Sequence, residues 1–90
     1  MADDVYTNLK KKLKEQGGWP QPYMFKFIIP SDNKKLAQVE AIFGSDAQVT
    51  TRLSKSNKYI SVTAKEVMIS PEEVINTYKK AEGIEGLISL

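Results

Sequence analysis

The chain has 90 residues, 41% apolar and 27% charged, with a formal net charge of +2. A single globular domain of this size buries roughly 60–65% of the surface its unfolded chain exposes. Cysteine and histidine are both absent, which excludes disulfides, thiolate chemistry, the usual zinc sites and Ser-His or Cys-His nucleophiles. The near-balanced charge leaves any electrostatic function to a local patch.

Residues 3–16 read as an amphipathic helix, with Val5, Tyr6, Leu9 and Leu13 on one side and lysines on the other. Asp3 and Asp4 open it and Lys10, Lys11, Lys12 and Lys14 lie toward its end, the polarity a helix dipole favours. Gly17-Gly18 stops it, and Trp19-Pro20-Gln21-Pro22 follows as an extended connector. Residues 1–18 are therefore read as an arm, and 19–90 as the domain. The arm's apolar stripe must pack either on that domain or on a partner chain.

The first strand spans about Tyr23 to Ile29, with Tyr23, Phe25, Phe27 and Ile29 facing one way and Met24, Lys26 and Ile28 the other. Ser31 or Asp32 caps the next helix, whose stripe is Leu36, Val39, Ile42 and Phe43, and Gly44 is expected to be left-handed after its last turn. A second strand, about Gln48 to Ser54, alternates Val49, Thr51 and Leu53 against Thr50, Arg52 and Ser54. The Lys55-Ser56-Asn57-Lys58 connection makes a hairpin, with Asn57 the expected positive-φ residue.

The third strand starts at Tyr59 and turns Ile60, Val62 and Ala64 inward. Val67, Met68 and Ile69 break the alternation, so a bulge or bend is expected near Glu66. Ser70-Pro71-Glu72-Glu73 is a capping box for a helix that buries Val74, Ile75, Tyr78 and Ala81. Gly83 and Gly86 bracket its exit, and Leu87-Ile88-Ser89-Leu90 forms the last strand.

Two helices packed on one face of a four-stranded antiparallel sheet satisfy all of these faces together. Right-handed crossovers around a central hairpin then predict an α+β, ferredoxin-like β-α-β-β-α-β sandwich with strand order 4-1-3-2. The expected core is Phe25, Phe27, Ile29, Leu36, Val39, Phe43, Val49, Leu53, Ile60, Val62, Val74, Ile75, Tyr78 and Ile88. The open face is expected to carry Met24, Lys26, Ile28, Thr50, Arg52, Tyr59, Ser61, Thr63 and Ser89.

Several segments resemble the YbeD-like family of small bacterial proteins. Trp19-Pro20-Gln21-Pro22-Tyr23-Met24-Phe25-Lys26-Phe27-Ile28-Ile29-Pro30 is similar to that family's entry strand, and Ser54 through Thr63 to its hairpin. Ser70-Pro71-Glu72-Glu73-Val74 through Tyr78 to Gly86-Leu87-Ile88-Ser89-Leu90 continues the likeness. Together they cover about residues 19–90; the lysine-rich arm departs from the pattern. The resemblance implies a ferredoxin-like fold akin to ACT regulatory domains, without an established activity or catalytic residues to carry over.

The expected function is a non-enzymatic regulatory or protein-binding module acting through the open sheet face or an edge strand. Lys26, Arg52, Tyr59, Ser61 and Thr63 are the binding candidates there: the cations attract an anion or acidic partner and the hydroxyls donate hydrogen bonds. The plain alternative is a wetted face on which Lys26 snorkels over Met24 and Ile28. An ACT-like sensor of small carboxylates would use Ser31, Asp32 and Asn33 at a helix N-terminus, against the reading that they only cap it. Single-stranded RNA is a third reading, in which only Tyr59 is available to stack.

The Lys10 to Lys14 run reads as a solvated face, and the Glu72-Glu73 and Asp3-Asp4 pairs as helix-end charges. No metal or cofactor is expected, and edge pairing would give a homodimer. No stretch reaches the ~20 apolar residues of a membrane span. The start lacks a signal-peptide core, and Met1-Ala2 is not the Met-Gly of a myristoylation site, so a cytoplasmic protein is expected.

Overall fold

A computed structural model describes residues 3–90, with side chains from Val5 onward. The expectations for Met1-Ala2 and for the Asp3 and Asp4 carboxylates lie outside the described residues. The elements are α1 (Asp3–Gln16), β1 (Gln21–Pro30), α2 (Asn33–Glu40), β2 (Gln48–Leu53), β3 (Tyr59–Met68), α3 (Pro71–Glu82) and β4 (Ile88–Ser89). The strands form one antiparallel sheet in the order β2-β3-β1-β4, the expected order read from the other edge.

β1 and β3 pair over their whole length, from Gln21 opposite Met68 to Pro30 opposite Tyr59. Phe25, Phe27 and Ile29 alternate inward and have no exposed surface, which makes this pair the spine of the core. Val39 of α2 and Val74 and Ala81 of α3 close over them. Fully burying such a side chain contributes roughly 1.5–3 kcal/mol.

Local chemistry sets the helix ends. Asp32 caps α2, its carboxylate accepting the Lys34 amide at 2.8 Å, and Ser70 caps α3 through the Glu73 amide at 3.3 Å with Pro71 in the first turn. Asn57 adopts φ 61 in the hairpin, as its place requires. The Trp19-Pro20 bond is cis, and β1 begins two residues before Tyr23, so Pro22 belongs to the strand rather than to a connector. Pro22 stands opposite Val67, where the ladder parity asks β1 for no amide donor to β3.

Four expectations need correction. The third strand has no bulge: its register is continuous to Met68, so Val67 is outward and 57% exposed while Met68 is buried. The three-residue apolar run hid an unbroken alternation because Val67 and Ile69, on either side of Met68, both face water. Gly44 is not left-handed; its amide donates to the Glu66 carboxylate at 2.9 Å, and an added Cβ would meet the same oxygen at 2.9 Å. Here glycine serves close approach rather than a positive φ.

Ile88 and Ser89 exchange faces. Ile88 pairs with Ile28 on the open side and is 54% exposed, while Ser89 stands opposite Phe27. A two-residue strand in an almost wholly apolar tetrapeptide carries no usable period, so pairing decides it. Leu53, expected in the core, is 52% exposed at the hairpin end of the edge strand β2.

α1 packs on its own chain through Tyr6, Leu9 and Leu13, while Val5 of the expected stripe is 71% exposed at the start of the helix. It lies along α3, with the Tyr6 and Tyr78 rings stacked at 6.5 Å and Lys10 and Lys14 at 3.5 and 3.6 Å from the Glu72 carboxylate. The Trp19 indole donates to the Leu13 carbonyl at 3.0 Å, and Leu13 is buried in the core cluster. Ile84, between α3 and β4, joins the same cluster.

Candidate functional site

The strand period that buries Phe25, Phe27 and Ile29 sends their neighbours to the opposite side of the sheet. Registers place these outward residues in rows across three strands: Gln48, Lys65 and Met24; Thr50, Thr63 and Lys26; Arg52, Ser61 and Ile28. β4 extends the last row with Ile88. Tyr59 and Pro30 form a further row at the hairpin end, with Tyr59 49% exposed.

Lys26, Arg52, Ser61 and Thr63 therefore come together as the alternation predicts, joined by Thr50. They line one shallow concavity of about 520 Å³. Tyr59 lies outside its lining, one row further on, and Ser89 belongs to the other face. Lys65 is a third cation on this side that the sequence reading missed. Its signal was the next step of the Tyr59, Ser61, Thr63 alternation, which reaches Lys65 before the expected bulge.

No Asp or Glu occupies an outward strand position on this side. The one carboxylate in a strand, Glu66, points to the helix side and binds the Gly44 amide. Among the described residues, Lys26, Arg52 and Lys65 have no ion-pair partner, whereas Lys10 and Lys14 share Glu72. The chain is close to neutral as a whole, yet the middle of this face is cationic at Lys26 and Arg52, while Asp46 and Glu66 line a groove with Lys65 at one end of it.

The β1–α2 turn is arranged differently. The Asp32 carboxylate already occupies a free amide of the helix N-terminus, the position an incoming carboxylate would take. The Ser31 amide donates to the Lys58 carbonyl at 2.9 Å, and Asn33 begins α2 exposed to solvent. None of the three joins the open-face cluster.

The perturbed ionisable groups sit on the helical side. Burial, then the hydrogen bond to Tyr23, raises the Tyr78 phenol. Tyr6, which donates to the Glu82 carboxylate, is pushed up to about 12, first by burial and then by that bond. Glu72 is held below the usual carboxylate range, first by its own backbone amide and then by Lys10 and Lys14. These shifts describe how α1 is fastened to α3 and involve no residue of the open face.

Among the described residues, no group of three or more metal-ligating side chains converges, and no helix is long and apolar enough to cross a membrane. Comparison with protein-family models found no match. Searches of curated proteins and of solved structures likewise found none.

Proposed function

We propose that the protein is a non-enzymatic binding module whose open sheet face takes an acidic segment of another protein in the cytoplasm. The observation that carries this reading is a face holding Lys26, Arg52 and Lys65 among Thr50, Ser61 and Thr63, with no Asp or Glu at an outward strand position and, among the described residues, no ion pair to any of the three cations. Unpaired cations on a structured face attract anions without having first to break internal ion pairs. Neighbouring hydroxyls then supply donors at fixed positions.

The β-α-β-β-α-β order after α1, with its β2-β3-β1-β4 sheet, supports classing the fold as a ferredoxin-like sandwich with an added N-terminal helix. Membership of the YbeD-like family is proposed on the sequence segments alone. The capped Asp32 turn weighs against a carboxylate sensor at that point. For RNA, Met24, Lys26 and Ile28 on β1 offer no ring to accompany Tyr59, which weighs against base stacking.

The test is binding of a glutamate-rich peptide to the wild-type protein and to the Lys26→Ala/Arg52→Ala variant. The peptide is expected to bind, to weaken with added salt, and to lose about tenfold in affinity in the variant, with the denaturation midpoint unmoved. Equal loss of folding and binding makes these residues structural and sinks the reading. Tighter binding of single-stranded RNA than of peptide replaces it with the nucleic-acid one.

A further inference from the structure

The outer edge of β2 is an unpaired edge of the sheet. The hairpin bond from the Ser54 amide to the Tyr59 carbonyl fixes the ladder parity. With the β2–β3 register, it follows that Gln48, Thr50 and Arg52 turn their amides and carbonyls toward β3. Val49, Thr51 and Leu53 turn theirs outward, and among the described residues none of these groups has a backbone partner elsewhere.

Proteins usually blunt such an edge with proline, a bulge, a very short strand or an inward charge. β2 has six residues, no proline and an unbroken register. Its side chains sort by face. On the helical side Val49 is half-buried and Leu53 is 52% exposed, an apolar step with nothing beyond it. On the open side are Gln48, Thr50 and Arg52, with Lys65 beside Gln48 on β3 and Lys26 in the Thr50 row on β1.

We infer that β2 accepts an extended segment of a partner protein as a fifth strand, with apolar and acidic residues alternating along it. The apolar set covers Leu53 and Val49, and the acidic set lies beside Arg52 on the cationic face. Main-chain bonds to Val49, Thr51 and Leu53 supply the pairing, and the alternation supplies the choice of partner. A second copy of this chain fits less well: its own β2 offers Gln48, Thr50 and Arg52 on that face, adding a cation and no carboxylate. The inference rests on the acidic-partner reading and names both the edge used and the pattern recognised.

The test compares two blocked peptides of about eight residues and identical composition. One alternates glutamate with valine or leucine; the other carries the same residues as two separate blocks. The alternating peptide is expected to bind at least about tenfold more tightly and to slow amide hydrogen exchange at Val49, Thr51 and Leu53. Thr51→Pro removes an outward amide, which an edge position tolerates, so it should keep the fold and lose that preference. Thr50→Pro removes a ladder bond to β3 and should unfold the protein or lower its stability sharply.

Equal binding of the two peptides, abolished by Lys26→Ala/Arg52→Ala, overturns the edge inference and leaves the open-face reading standing. Binding of neither peptide overturns both. Dimerisation of the free chain with protection of the same three amides makes the occupant a second copy and overturns the proposal. Should Thr51→Pro fail to fold, the exchange rates decide: no slowing at those amides on adding the alternating peptide overturns it.

Discussion

Lys26 and Phe27 are adjacent in the chain and end on opposite sides of one strand. Phe27 is sealed among Phe25, Phe43 and Tyr78, with ring centroids 6.1, 6.4 and 6.2 Å away, while Lys26 stands in water over the bare face. The covered side carries the stability and the open side carries the unanswered charge. This division teaches that the two duties of the sheet are separable residue by residue, because a strand's period of two assigns alternate side chains to different solvents.

The separation breaks most visibly at Phe27→Ala, expected to cost about 3–5 kcal/mol in chemical denaturation. A cost near that of a surface change would mean the core is not where the alternation puts it. Next comes the adjacent pair at the end of β3. Met68→Ala should cost about 2–5 kcal/mol and Val67→Ala no more than about 1, and similar losses at both would restore the expected bulge.

Leu13→Ala sharpens the comparison by asking whether α1 belongs to the covered side. About 2–3 kcal/mol is expected, with the loss appearing in the same cooperative transition as the rest. An unfolding step of its own would make the helix a separate unit.

A smaller effect belongs to high pH. The Tyr6 phenol is raised from its ordinary 10.0 to about 12 in the folded protein, and Tyr78 is raised as well. The folded state thus favours the protonated phenols. Their contribution is complete below about pH 10 and is lost as pH rises through the folded values. Stability followed by circular dichroism should fall across that window, and Tyr6→Phe should flatten part of the fall. The smallest effect on stability is expected on the open side, where Lys26→Ala/Arg52→Ala should stay within about 0.5 kcal/mol of wild type.

Much of this was legible from residue order. The existence of the first three strands and all three helices, the Ser70 cap and the Asn57 hairpin follow from local chemistry, since each rests on neighbours a few positions apart. α2 nevertheless ends at Glu40, before the Ile42 and Phe43 expected on its stripe, and its cap is Asp32 of the two candidates Ser31 and Asp32. The pairing of Lys26 and Arg52 on one face needed only the period of two and the strand order. Lys65 precedes the expected bulge and follows from the same alternation as Ser61 and Thr63, whereas the burial of Met68 beyond it is shown only by pairing with β1. Gly44 was misread for a similar reason: its partner, Glu66, is twenty-two positions away and leaves no trace in the local pattern.

Sequence alone determined the class of each element and the split of β1 into a wet and a dry side, because backbone geometry and the transfer cost of apolar groups act at short range. Tertiary structure alone decided that α1 lies on α3, that Ile88 and Leu53 are exposed, and that β2 presents an unpaired edge. Those outcomes depend on which surfaces meet and where a strand runs out of neighbours. No local period encodes either.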